Sequence, residues 1–259
     1  MGSELVMKRF LYYIIIFQVI SFISCDKEDN SVLRNLNSGN YVIAHRGMSR
    51  DVGLPENSRG AFKLALESNI YAVEFDVQQT SDGILIINHD YYYNNKLIRE
   101  TSYKELIKDK LSNGEILPTL EDFLMIYNEV ETNVGLFIEI KQCDISSLVD
   151  IVNKYNVTNV KYTSFSLSYL DLLVNIGQGN KAIYVGGDLT PNEIKNRGYG
   201  GIAYNISVFD SHIDWVDQSF SLGLETCVWT VDAFKDIKRY AEMGVKVYTN
   251  RAWLCTQTN

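Results

Sequence analysis

Proline is scarce in this sequence, with three in 259 residues (Pro55, Pro118 and Pro191), which leaves no room for a proline-rich linker between separate domains. Basic residues are outnumbered 24 to 32 by acidic ones, for a net charge of −8. No basic stripe is available to displace phosphate counterions, so nucleic acid is excluded as a partner. The four cysteines, Cys25, Cys143, Cys227 and Cys255, have neither the paired spacing of a zinc site nor the density of a disulfide-stapled miniature. Histidine is rare too, at three, so the position of each one carries information. What remains is 46% hydrophobic and 22% charged, enough to build one large core and cover it.

The sequence also lacks a run long enough to cross a bilayer as a helix. Met7-Lys8-Arg9 is followed by an uncharged stretch of 15 residues, short of the roughly 20 that a span requires, before Cys25 and Asp26-Lys27-Glu28-Asp29. A short basic region ahead of such a stretch reads as a secretory signal over residues 1–24. Phe22-Ile23-Ser24-Cys25 resembles a bacterial lipobox, in which the cysteine is lipidated and becomes the mature N-terminus. Residues 25–40 are polar and aperiodic, as a tether would be. Lys27-Glu28-Asp29 resembles the signals that send some lipoproteins to the outer cell surface, or is simply a charged part of that tether. The expectation is an exported bacterial lipoprotein, anchored to a membrane by lipid on Cys25 and facing the periplasm or the cell surface.

From Tyr41 to Asn259, short apolar runs alternate with amphipathic ones. The candidate strands are YVIAHRG, AVEFDVQ, GLFIEIK, VKYTSFS, KAIYVGG, GIAYNIS, ETCVWTV and VKVYTNR. Between them lie helical patterns such as SRGAFKLALES, TLEDFLMIYNEVE, SLSYLDLLVNI, PNEIKNR and DAFKDIKRYAEMG. Ser58, Thr119 and Asp232 are placed to cap helices, Pro191 suits a first turn, and Gly177, Gly198, Gly223 and Gly244 mark helix ends. Strands joined by helices over residues 41–259 predict an α/β (β/α)8 TIM barrel, with an open doubly wound sheet as the alternative. One unit departs: Ser81-Asp82-Gly83 signals a hairpin after the second strand, and residues 91–115 read as a small insertion.

Polar residues on the strands carry the chemistry. Glu74 and Asp76, two apart, share a strand face opposite Val73, Phe75 and Val77. The apolar set must pack under helices, so the carboxylates face inward. On the next strand Phe137, Glu139 and Lys141 share the inward face. Three carboxylates that close cannot all ionise without compensation, and a hard divalent cation with oxygen ligands supplies it. An ion-pair layer in the barrel core is the structural alternative. His45 and His89 stand at strand ends beside this cluster and Arg46 follows His45, whereas His212 lies in a polar stretch. Two proton carriers, a guanidinium that suits anionic oxygens and a metal point to phosphodiester cleavage. By the same alternation, Cys227 and Cys143 face the barrel interior as small free thiols.

At these residues the sequence becomes recognisable. HRGMSRDVGLPENS, VEFDVQQTSDGILIINHD, LPTLEDFL, FIEIK and VWTV, in that order, resemble the glycerophosphodiester phosphodiesterase family over nearly the whole chain beyond Cys25. The resemblance implies a TIM barrel that hydrolyses glycerophosphodiesters to glycerol 3-phosphate and an alcohol, using one divalent ion, Ca²⁺ or Mg²⁺. It implies His45 and His89 as the acid–base pair, and Glu74, Asp76 and Glu139 as metal ligands. Arg46 and Lys141 become phosphate-side cations, Glu56 and Asn57 orient the first loop and its arginine, and Trp229 walls the substrate pocket. The departures are Ser58 for threonine, Ser81 in the hairpin turn, Asn69 and Ala72 ahead of Glu74, Tyr91-Tyr92-Tyr93 after His-Asp, and Thr249-Asn250-Arg251 where Thr-Asp is more usual. Two alternatives stay open: a phospholipase-type enzyme that stops at a cyclic phosphate, and a lipoprotein that binds glycerophosphodiesters without cleaving them.

Overall fold

The computed structural model of the protein describes residues 41–257; the expected signal, Cys25 and the tether lie outside the described residues. Its strands in chain order are β1 (Val42–Ala44), β2 (Ala72–Gln79), β3 (Leu85–Ile87), β4 (Tyr92–Tyr93), β5 (Lys96–Leu97), β6 (Gly135–Gln142), β7 (Val160–Ser164), β8 (Ala182–Tyr184), β9 (Gly201–Asn205), β10 (Glu225–Trp229) and β11 (Lys246–Thr249). Strands β1, β2 and β6–β11 pair in parallel around a ring, and β1 bonds both β11 and β2. That closure makes the sheet an eight-stranded barrel and removes the open-sheet alternative.

Alternation along each strand divides two cores. Ile43, Ala72, Phe137, Ile183, Ala203, Cys227 and Tyr248 fill the barrel interior. Val73, Phe75, Val77, Ile138 and Ile140 point outward to the helices. Behind the two carboxylates of β2, Phe75 meets Phe62 edge-on at 5.5 Å, and Phe62 stacks on Phe123 at 4.1 Å. The helices bearing those rings, Arg59–Leu66 and Leu120–Glu129, start at the expected caps. Ser58 accepts from the Ala61 amide, and Thr119 forms a reciprocal capping box with Asp122. Pro191 opens its helix, and the four helix-end glycines take positive φ.

Two expectations need correction. Asp232 does not cap the helix Phe234–Glu242: Ala233 occupies that position without a side-chain bond, and Asp232 turns instead to the loop after β11. Cys143 faces the helices rather than the interior. The cause is a bulge: Val77 pairs with Ile140 but Gln78 with Gln142, so Lys141 is an extra residue and the alternation beyond it reverses. The helix Ile145–Lys154 follows this bulge, and the sequence reading did not single it out. Its buried Ile145, Leu148, Val149 and Val152 follow helical spacing, with Asp144 as the cap.

Strand β3 runs antiparallel on β2 and ends just before His89. Residues 91–115 fold over it as a hairpin, β4–β5, whose turn Asn94-Asn95 has positive φ at both positions, followed by the short helix Tyr103–Leu106. Tyr93, Ile98, Leu106 and Leu117 close a satellite core on Ile86 of β3. Among the described residues no helix is long and apolar enough to cross a membrane.

Candidate active site at the barrel mouth

The paired strands β2 and β6 bring the three carboxylates together. Glu74 and Asp76 are fully buried on the inward face of β2, and Glu139 stands opposite Asp76 in register on β6. One ligand oxygen from each lies within 4.8 Å of the others.

The loop after β1 is built around this cluster. Arg46 adopts a left-handed backbone, φ 56°, uncommon for a residue with a side chain. That conformation points its amide at Glu74 Oε2, to which it donates at 2.9 Å. Gly47 follows at φ 81°, where a Cβ would stand 2.9 Å from Ala61 Cβ, so only glycine lets the loop lie against the helix Arg59–Leu66. The Pro55-Glu56-Asn57 turn locks onto the same loop. Asn57 donates its amide to the Arg46 carbonyl at 2.9 Å and its side-chain Nδ2 to Asp76 Oδ2 at 2.8 Å. Glu56 accepts from Arg46 Nη1 at 3.0 and 3.1 Å, orienting the guanidinium. Glu56 and Asn57 therefore act behind the site, on Arg46 and Asp76, and do not line its cavity.

The two histidines sit on either side. The His45 Nδ1–H donates to Asn250 Oδ1 at 2.8 Å, and the His89 Nδ1–H donates to Asp90 Oδ1 at 2.8 Å. The turn that presents His89 is pinned from below by Gln78 of β2, whose Nε2 donates to the carbonyls of Asn88 at 2.8 Å and Asp90 at 2.5 Å. His45, Arg46, His89, Glu139, Lys141 and Trp229 all line one cavity of about 130 Å³. Trp229 is fixed there by its indole N–H, which donates to the Ala203 carbonyl at 2.8 Å, and by an edge-on contact with Phe165 at 5.7 Å. Phe165, Thr230 and Tyr248 also face the cavity and were not singled out from sequence; alternation along β7 and β11 reaches Phe165 and Tyr248, but Thr230 follows the inward Trp229 directly and breaks the period of two.

The electrostatics of the cluster are those of a group that could hold a cation. Burial, then the negative charges of Asp76 and Glu139, push the Glu74 carboxyl well above its usual range. Burial and Asp76 likewise raise Glu139, against the opposing pull of Lys141. Lys141 Nζ reaches Glu139 Oε1 at 2.5 Å and Asp76 Oδ1 at 3.2 Å, and Arg46 Nε is 3.6 Å from Asp76 Oδ2. Two cations thus face three carboxylates. Glu74 Oε1 is buried with no hydrogen-bond partner among the described residues, and Asp76 Oδ1 meets only the Lys141 ammonium, at 3.2 Å. An orphaned buried oxygen on Glu74, in a cluster of three hard carboxylates, fits a divalent ion of the Ca²⁺ or Mg²⁺ type. For His45, burial lowers the pKa below the ordinary imidazole value, and the bond to Asn250 opposes that shift without overcoming it.

Fold and site define a barrel enzyme whose mouth is shaped for an anionic substrate. The chain belongs to the glycerophosphoryl diester phosphodiesterase family, whose model matches residues 45–251. A glycerophosphodiester phosphodiesterase of Caldanaerobacter subterraneus subsp. tengcongensis is 28% identical over 230 residues, 79% of this chain and 90% of that protein. The crystal structure of a glycerophosphodiester phosphodiesterase from Parabacteroides distasonis is 32% identical and superposes with a TM-score of 0.79, covering 84% of this chain and 95% of that one. An Oleispira antarctica phosphodiesterase, solved in complex with the product sn-glycerol-3-phosphate, shares the fold at 21% identity with a TM-score of 0.73, over 84% of this chain and 95% of that one.

Proposed function

We propose that this protein hydrolyses glycerophosphodiesters to glycerol 3-phosphate and an alcohol, with His45 and His89 as an acid–base pair. The observation that carries the reading is the convergence of both histidines, Arg46, Lys141 and the acidic cluster on one cavity, within a family match that spans the barrel.

Arg46 and Lys141 bind the non-bridging phosphoryl oxygens, and Trp229 with Phe165 forms the apolar wall that excludes water from one side. His45, neutral because it is buried, takes the proton of the nucleophile at Nε2. His89 gives a proton to the departing alkoxide. The nucleophile is water or the substrate's own glycerol 2-hydroxyl, the latter through a cyclic phosphate that water opens. Glu74, Asp76 and Glu139 would hold one Ca²⁺ or Mg²⁺, which when bound neutralises charge developing on the phosphoryl oxygens.

Phosphorus NMR of the products from a panel of glycerophosphodiesters tests this directly. Glycerol 3-phosphate is the expected product. Accumulation of a stable cyclic phosphate would replace the hydrolase with a phospholipase-type lyase, and binding without turnover would reduce the protein to a carrier.

The sequence before Tyr41 supports export and lipid attachment at Cys25, which would hold the barrel at a membrane surface. The full-length chain is expected to sediment with membranes from its host and the Cys25→Ser variant to stay soluble. Equal partitioning of the two would reject the anchor.

A further inference from the structure

Asn250 stands between a carboxylate and a histidine, and its chemistry fixes both. The β1–β11 ladder continues past the strands, with the His45 amide donating to the Thr249 carbonyl at 3.1 Å, so His45 and Asn250 are neighbours across the barrel seam. Asp232, in the loop after β10, approaches from the other side because the Val231 amide donates to the Tyr248 carbonyl at 2.9 Å. Asp232 accepts from the Asn250 amide at 2.9 Å, Asn250 Nδ2 at 2.9 Å, Thr249 Oγ1 at 3.2 Å and Arg50 Nη1 at 2.8 Å. Burial alone would raise the Asp232 pKa, but the bonds from Asn250 and Thr249 and the nearby Arg50 charge hold it below the ordinary carboxylate range.

An ionised carboxylate can only accept, so the side of the Asn250 amide that faces Asp232 must be its NH₂. Its oxygen then faces His45 Nδ1 at 2.8 Å. A carbonyl oxygen can only accept, so Nδ1 must carry the hydrogen. In the neutral ring Nε2 then holds the lone pair, on the side left for the cavity that His45 lines.

We propose that Asp232, acting through Asn250, is a positioning device that holds His45 in the Nδ1–H tautomer and so makes Nε2 the base. The inference rests on the reading of His45 as the base and adds how that role is set. A neutral amide in the middle gives the ring its orientation and tautomer without placing a full negative charge against it. Asp90, which bonds directly to His89 Nδ1, places that charge on the other histidine. The two rings are thereby made unlike: the buried one is held by a dipole and the more exposed one by an ion.

The test combines nitrogen-15 NMR of the histidine rings with kinetics. Three histidines give a simple spectrum, and His45→Gln identifies the His45 signals by their loss. In the wild-type protein, at a pH where His45 is neutral, Nδ1 is expected to be the protonated nitrogen and Nε2 the bare one. Asn250→Leu keeps the bulk and removes both bonds. It is expected to lower kcat about 10- to 100-fold with little change in KM, and to turn the His45 signals into a tautomer mixture. The exchange Asp232→Asn with Asn250→Asp restores the chain of bonds in reverse: the new amide donates to the new carboxylate, which accepts from Nδ1–H. It should recover kcat to within about fivefold and restore the single tautomer. An Nε2–H tautomer in the wild-type protein overturns the proposal. So does a folded exchange variant as slow as Asn250→Leu, or an Asn250→Leu variant with unchanged kcat and spectrum while His45→Ala is inactive. Full activity in His45→Ala would instead remove the underlying assignment of the base. If Asn250→Leu fails to fold, the wild-type spectrum and the exchange variant still decide the matter.

Discussion

His89→Ala should lose about 10²–10⁴-fold in kcat/KM on a glycerophosphodiester with an ordinary alkyl alcohol, and far less on an analogue with a nitrophenol leaving group. A poor leaving alkoxide needs a proton as its bond to phosphorus breaks, whereas a nitrophenolate leaves without one. His89 lies at the end of β3, beside the insertion and its exposed Tyr91 and Tyr92, on the side open for the alcohol. His45 lies beside Arg46 and is tied to Asn250 in the loop after β11. His45→Ala should therefore cost a similar factor on both substrates, because the nucleophile must lose its proton whatever leaves. The four values of kcat/KM decide the assignment. Rescue of His45→Ala by the good leaving group would reverse the roles, and rescue of neither variant would remove leaving-group protonation from the rate-limiting step.

Excess chelator should abolish turnover, by at least about 10³-fold, and Mg²⁺ or Ca²⁺ should restore it. Without the ion, Glu74 keeps an orphaned buried oxygen and is pushed towards its protonated form by burial and by its neighbours. Binding to the folded state alone also stabilises it, by about 2.7 kcal/mol at an ion concentration 100 times Kd. For a barrel of this size that corresponds to a rise in Tm of about 5–10 °C, a readout independent of activity. Glu74→Gln keeps the shape and removes one charge, and should raise the ion concentration for half-maximal activity about 10- to 100-fold. Full activity in chelator, with no effect of either ion on Tm, would leave the carboxylates as an ion-pair layer with Arg46 and Lys141.

Both predictions depend on residues whose placement was legible before any coordinates, because a strand's period of two is local. Val73, Phe75 and Val77 had to face helices, which sent Glu74 and Asp76 inward, and the same alternation placed Glu139 and Phe137. The parallel α/β order followed from apolar runs separated by capped amphipathic ones, whereas closure into a ring rather than an open sheet came only from the pairing of β1 with both β11 and β2. Where the reading failed, a contact distant in sequence had overridden the local rule. The bulge at Lys141 is set by pairing with β2, and it turns Cys143 outward, where burial raises its thiol pKa to about 12. Asp232 has the chemistry of a helix cap but is claimed by Asn250, Thr249 and Arg50, the last of them on the far side of the barrel seam. The departure Thr249-Asn250 was visible as an oddity in sequence, yet its partner in Asp232 and its hold on His45 needed the closed barrel to appear.

Hydrolysis in ¹⁸O-labelled water, followed by phosphorus NMR, tests the central claim most directly. Attack at phosphorus, whether by water at once or by water opening a cyclic phosphate, predicts glycerol 3-phosphate carrying one solvent oxygen on phosphorus and an alcohol that carries none. Label in the alcohol would mean that the carbon–oxygen bond is cleaved, and an unchanged diester would mean no hydrolysis. Either result would contradict a site in which His45, His89, Arg46 and Lys141 are gathered around a phosphoryl group.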